Sequence, residues 1–128
     1  MALVGRFNTT MFDVSRERPN PINPIPGESL LLWLKAHATT PVSAPEPEDW
    51  GWYADVVWEG RAYLLGASAS EDEDGEREWI LQVHKQRSLT ERLLGREKMT
   101  GEDACGRYFR TLIENEPGFR SVSVDAEP

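Results

Sequence analysis

The chain has 128 residues, 39% hydrophobic and 28% charged, with five Trp and four Phe. That length and composition suit one globular domain able to fold without metal or disulfide staples, and they exclude an intrinsically disordered chain. A formal net charge of −8 at pH 7 opposes nonspecific attraction to nucleic acid or to an anionic membrane and allows a basic partner.

With Cys105 as the single cysteine, no internal disulfide can form. The opening Met-Ala-Leu-Val-Gly-Arg-Phe-Asn reaches charged and polar residues before any long apolar run, unlike a secretory signal. No stretch approaches the about 20 apolar residues of a spanning helix. The expectation is a cytoplasmic, membrane-free protein whose residues 1–128 form a single domain.

Residues 3–14 mix β-branched and aromatic side chains with partial alternation and predict a first strand. Prolines at 19, 21, 24 and 26 then remove too many backbone donors for a central strand or a helix, so residues 18–26 run extended. Arg18-x-x-Pro21-x-x-Pro24 matches a proline-rich ligand pattern. A strap across the surface, with Ile22 and Ile25 tucked into the core, is the simpler reading because such short motifs recur by chance. From Gly27 or Glu28 to about Ala38 a helix is expected, acidic at its start and carrying Lys35 and His37 at its end. Its run Leu30-Leu-Leu-Trp-Leu34 is wider than an amphipathic stripe and implies deep packing against a sheet. His37 has no second ligand at i−4, where Trp33 stands, and reads as a partner of the helix dipole.

Residues 39–49 form a proline-rich, acid-ended connection, expected to be a mobile loop. The clearest feature of the sequence follows. Residues 50–67 alternate as two strands joined at Glu59-Gly60, a hairpin whose glycine supplies the positive φ of the turn. Trp52, Ala54, Val56 and Trp58 share one face, and Tyr53, Asp55 and Val57 the other. An exposed aromatic sheet face makes Trp50, Trp52 and Tyr53 candidate partner contacts, and the outer edge of this hairpin could pair with a second copy.

Residues 68–78 are the most acidic segment and predict a solvated, mobile hairpin tip. Set on an EF-hand loop, Gly75 as the invariant glycine places Ser70, Asp72 and Asp74 at ligand positions but Leu81 where the bidentate Glu must stand, which rejects calcium. Glu71, Asp72, Glu73 and Asp74 remain candidates for steering a basic partner. Residues 79–85 give a strand with Trp79, Leu81 and Val83 on the core face and His84 on the polar one. Lys85, Arg87, Arg92, Arg96 and Lys98 form one basic island, a candidate site for an anion or an acidic protein. The simpler reading is a solvated loop compensated by the acidic tip beside it. Within it Ser88 caps a short helix Leu89–Leu94, with Glu91 completing the capping box. Thr100-Gly-Glu-Asp103 resembles a second capping box and opens a helix to about Asn115, whose apolar face is Ala104, Cys105, Tyr108, Phe109, Leu112 and Ile113. Within that stripe Cys105 reads as a buried apolar residue and not a nucleophile. Residues 119–125 give a last strand with Val122 and Val124 inward, and 126–128 a frayed tail.

The element order predicts an α+β two-layer sandwich: a mainly antiparallel sheet of about five strands with two main helices on one face. No Cys-x-x-Cys, Gly-x-Ser-x-Gly, P-loop or dinucleotide fingerprint is present, so no catalytic, metal or cofactor residues are assigned. Three readings follow. The preferred one is a non-catalytic protein-binding module, of an adaptor or toxin-neutralising kind. The second is a small-molecule binder or enzyme with a pocket between sheet and helices, lined by Tyr53, Tyr63, Trp79 and Tyr108. The third, nucleic-acid binding through the basic island, conflicts with the net charge.

Overall fold

Alternation of apolar and polar side chains sets the sheet, and the sheet sets everything else. The computed structural model describes residues 2–72 and 76–127. Six strands, β1 (Ala2–Thr9), β2 (Glu46–Glu48), β3 (Gly51–Trp58), β4 (Arg61–Ala69), β5 (Arg77–Lys85) and β6 (Arg120–Glu127), pair in the order β2-β3-β4-β5-β1-β6. Every pairing is antiparallel. Helices α1 (Glu28–His37) and α3 (Ala104–Glu114) cover one face, and a short helix, α2 (Leu89–Leu93), lies in the connection after β5. This is the expected α+β sandwich, with one strand more than the sequence suggested.

The extra strand is β2. Glu46, Pro47 and Glu48 pair with Tyr53, Trp52 and Gly51, so residues 39–49 are not a plain loop. Upstream of it Ser43 accepts the Asp55 amide through Oγ at 2.8 Å, and Val42 bridges to Val56. The outer edge of β3 is therefore covered by its own chain, which removes the exposed hairpin edge considered for pairing with a second copy. Proline inside such a short edge strand hides the signal from a reading based on propensity.

The β3–β4 register is the one alternation predicts: Trp52 opposes Ala67, Ala54 opposes Leu65 and Val56 opposes Tyr63. Glu59 and Gly60 both take positive φ, 49° and 79°, giving the turn that matches strand twist. Trp52, Ala54, Val56, Tyr63, Leu65, Trp79, Leu81, Val83, Leu3 and Phe7 form the buried face. Onto it α1 sets Leu30, Leu31 and Leu34, and α3 sets Cys105, Phe109 and Ile113. Phe119 closes the far side by stacking on Phe7, ring centroids 4.3 Å apart.

Several boundaries differ from expectation for local reasons. β1 ends at Thr9, whose hydroxyl donates to the Gly118 carbonyl at 2.8 Å and accepts the Met11 amide, and Asp13 then caps a single 3-10 turn at Val14–Arg16. The strap 18–26 is fastened by polar groups, not by Ile22, which is 57% exposed. Asn20 donates through Nδ2 to the carbonyls of Glu48 and Gly51, both at 2.9 Å, while the Arg18 guanidinium pairs with buried Glu28 and lies 5.3 Å from the Trp52 ring centre. Glu17 caps α1 by accepting the Ser29 amide at 2.8 Å. α3 is capped by Asp103, not Thr100: the Asp103 carboxylate accepts the Gly106 amide at 3.0 Å. A carboxylate at that position also meets the positive end of the helix dipole. Ala126 and Glu127, expected to fray, belong to β6, and Glu127 pairs with Arg6 at 2.5 Å.

Candidate functional site

α2 is built inside out. Ser88 caps it and Glu91 completes the capping box, as its sequence predicts. Glu91 then turns toward the body of the protein, where Arg61 at the β3–β4 turn meets it with Nη2 to Oε2 at 2.7 Å and Nη1 to Oε1 at 3.1 Å. A bidentate guanidinium–carboxylate pair fixes orientation as well as distance. On a helix this commits the opposite side to solvent, and that side carries Leu89 and Leu93. They are 73% and 77% exposed, with Leu94 beside them at 58%. Burying a leucine fully is worth roughly 1.5–3 kcal/mol, so three adjacent exposed leucines leave a large unused apolar surface.

Next to α2, on the sheet face that the helices leave open, is a groove of about 1030 Å³. Leu64, Gln82 and His84 line its floor, with Trp50 and, from the α2 segment, Arg87, Arg92 and Lys98 around it. Trp50 is not a strand residue. With Asp49 it forms the turn between β2 and β3, since Glu48 pairs with Gly51. Its ring lies on the backbone of Gly66, where a Cβ would come within 2.8 Å of the indole. Gly66 is thus the bed that lets an aromatic platform rest flat on the sheet between Tyr53, its cross-strand partner, and Gln82. His84 is half-buried and its Nε2 lies 2.8 Å from Gln82 Oε1. Burial pulls the His84 pKa below the ordinary histidine value and favours the neutral ring.

The five residues of the basic island divide in two. Lys85 is consumed internally: its ammonium meets Glu97 at 2.9 Å and Asp103 at 3.3 Å. Asp103 also accepts the Tyr63 hydroxyl at 2.9 Å, and burial with this neighbour pushes the tyrosine pKa above its normal range. Among the described residues, Arg87, Arg92, Arg96 and Lys98 form no ion pair. Glu71 and Asp72 do not compensate them: they follow β4 at the Ala69–Arg77 end of the β4–β5 hairpin, while the basic island follows Lys85 at the other, about 25 Å away along nine-residue strands.

Of the other candidates, Tyr53 is half-buried on the open face, but Trp52 is 1% exposed and faces α1, so it cannot touch a partner. Gly51, φ 146°, stands between Trp50 in the turn and Trp52 in β3. Glu71 and Asp72 are exposed; Glu73 and Asp74 lie outside the described residues. The four residues of the expected internal pocket do not converge: Tyr63 and Trp79 are core, Tyr53 is on the opposite face, and the Tyr108 hydroxyl accepts the Thr39 amide at 2.8 Å. Where the β1–β5 face meets α3, the free space is about 10 Å³, barely that of one water. Cys105 is fully buried, and burial raises its thiol pKa to about 12. Among the described residues, no cluster of three or more His, Cys, Asp or Glu is arranged to hold a metal ion, and no helix is long and apolar enough to cross a membrane. The outward leucines of α2 and the turn position of Trp50 were the features sequence reasoning missed. The signal available was three leucines in a six-residue helix that has a capping box but no further apolar partner.

No protein-family model matches the chain, and neither a curated protein nor a solved structure does.

Proposed function

We propose that this protein is a non-catalytic binding module that engages another protein, in the manner of an adaptor or toxin-neutralising protein, through α2 and the adjoining open sheet face. The observation that carries the reading is the inverted helix, with its polar side tied to Arg61 and its leucines outward. A short, capped, oriented helix is a rigid presentation of apolar side chains, the arrangement expected of interface anchors. Trp50 adds an aromatic group of the kind enriched at interface centres. Glu71 and Asp72, at the far end of the hairpin, serve in this reading as long-range steering charges for any basic part of the partner.

The test is capture from lysate of the source cells, comparing the unaltered protein with the Leu89→Ser, Leu93→Ser, Leu94→Ser variant. The reading expects one protein retained in stoichiometric amount by the first and lost by the second. Equal retention by both would reject α2 as the docking element, and retention by neither would reject the binding-module reading itself.

A further inference from the structure

We propose that the groove between Trp50 and the α2 segment receives an acidic polypeptide segment of the partner, with one apolar side chain set against Trp50 and Leu64 and flanking carboxylates on Arg87, Arg92 and Lys98. This rests on the binding-module reading and specifies its partner. In a chain of net charge −8, four cations stand close in sequence between residues 87 and 98, and among the described residues none forms an ion pair. Three acids close to them in the chain are already engaged, Glu91 with Arg61, and Glu97 and Asp103 with Lys85, which leaves Glu102 as the one acid between residues 87 and 103 without an ion pair among the described residues. The island therefore keeps a net positive field over the groove, and like charges held together favour an incoming anion. Arg87 is positioned for this by donating to the Arg96 carbonyl at 3.1 Å, which closes the segment into a loop.

Shape and charge together select a polypeptide. The groove is concave and lined by both Trp50 and Arg92 of α2, a shape that suits an inserted segment better than a flat lipid surface. A long polyanion such as DNA would run beyond the groove onto the acids that outnumber bases in this chain, 22 to 14. A short acidic segment on a folded partner ends before it meets them. Because Arg92 belongs both to α2 and to the groove, one partner can cover the leucines and fill the groove in a single contact. His84 on the floor contributes a neutral ring, leaving recognition of carboxylates to arginine and lysine, whose charge does not vary near neutral pH.

The test is carbodiimide coupling of the complex captured by the full-length protein. This reagent joins a carboxylate to an amine in direct contact with it; of the two lysines lining the groove, Lys85 is already held by Glu97 and Asp103, and Lys98 is the one without an ion pair among the described residues. A Lys98 linkage to an Asp or Glu of the captured protein is expected, absent in Lys98→Arg while capture persists. Arg92→Glu with Lys98→Glu is expected to weaken capture by about tenfold or more. Linkages only from Glu71 or Asp72 to partner lysines, or capture indifferent to the double reversal, would overturn the acidic segment while leaving the binding-module reading in place. If nothing is captured, both fall. Binding instead to phosphatidylserine vesicles or to a single-stranded oligonucleotide, sensitive to the same reversal, would reassign the groove and overturn the proposal.

Discussion

Arg61 and Glu91 meet at 2.7 Å across the gap between the β3–β4 turn and α2, and this pair decides which side of α2 faces water. Hydrogen bonds from Arg61, with help from the Ser88 backbone, hold the Glu91 carboxyl at a pKa of about 2, against an ordinary value of 4.5. A depressed carboxyl pKa contributes stability that is complete above 4.5 and disappears as pH falls toward 2. Carbon-13 titration of the side-chain carboxyl should show a midpoint near 2 in the unaltered protein and a higher one in Arg61→Ala, still below 4.5 because the Ser88 hydrogen bond remains. Amide exchange over residues 89–94 should quicken in that variant at neutral pH. A midpoint unmoved by the substitution would mean the pair does not hold α2.

Asp103 joins two layers by serving two elements. One oxygen caps α3 and the other receives Tyr63 and Lys85, the Asp103 and Lys85 side chains being 4% and 11% exposed. Breaking a buried ion pair by removing one partner costs about 3–5 kcal/mol. Because Glu97 still pairs with Lys85, Asp103→Asn, which keeps an acceptor for the cap, should lower stability by less than that, about 1.5–3 kcal/mol, and Asp103→Ala by about 1 kcal/mol more. Tyr63→Phe should cost only about 0.5–1.5 kcal/mol. Urea unfolding of the three variants checks the ranking.

Two acids held neutral make the fold sensitive to alkali. Burial, with Asp103 nearby, raises the Cys105 thiol from 9.0 to about 12, and burial raises Tyr63 as well. Above pH 9 the unfolded chain ionises its thiol while the folded one does not, so stability falls as pH rises from 9 toward 12, by at most about 1.4 kcal/mol per pH unit for each such group. Cys105→Ala should flatten that slope. In the unaltered protein at pH 8, alkylation of Cys105 should proceed only at the rate of unfolding. Fast native-state labelling would contradict its burial.

The Trp50 platform depends on the missing side chain at Gly66. A Cβ there would lie 2.8 Å from the ring, and the side chain that must give is an indole at the surface, so Gly66→Val should shift Trp50 while leaving the fold intact. The expected signature is an altered indole N–H resonance for Trp50 with amide shifts elsewhere confined to β3, β4 and β5, accompanied by weaker partner binding.

Periodicity carried the layers of this fold. The 50–67 hairpin, the core face of β5 and the stripe of α3 were legible because alternation and helical spacing map directly onto burial. Residues 46–48 were not, since Glu-Pro-Glu pairs with β3 through context that propensity does not contain. Trp50 and Trp52 are both candidate partner contacts from the sequence, and the structure separates them: the turn at Asp49-Trp50 leaves Trp50 over Gly66, while Trp52 is buried in the core. The basic island was visible as composition. Its separation from the acidic tip was not, because that depends on both segments being anchored to the two ends of one hairpin. Ile22 misled for the opposite reason: an apolar side chain in the strap was assumed to hold it, when Asn20 and Arg18 do so by hydrogen bonds.

In the binding-module reading the leucines of α2 are surplus to the fold and are kept for a partner. Thermal or urea unfolding of Leu89→Ser, Leu93→Ser, Leu94→Ser, beside capture by the same variant, tests both halves of that reading. Stability within about 0.5 kcal/mol of the unaltered protein, as for surface substitutions, together with loss of the captured protein, is the predicted result. A stability loss of about 3 kcal/mol or more, the range of buried leucine truncations, or undiminished capture, would contradict it.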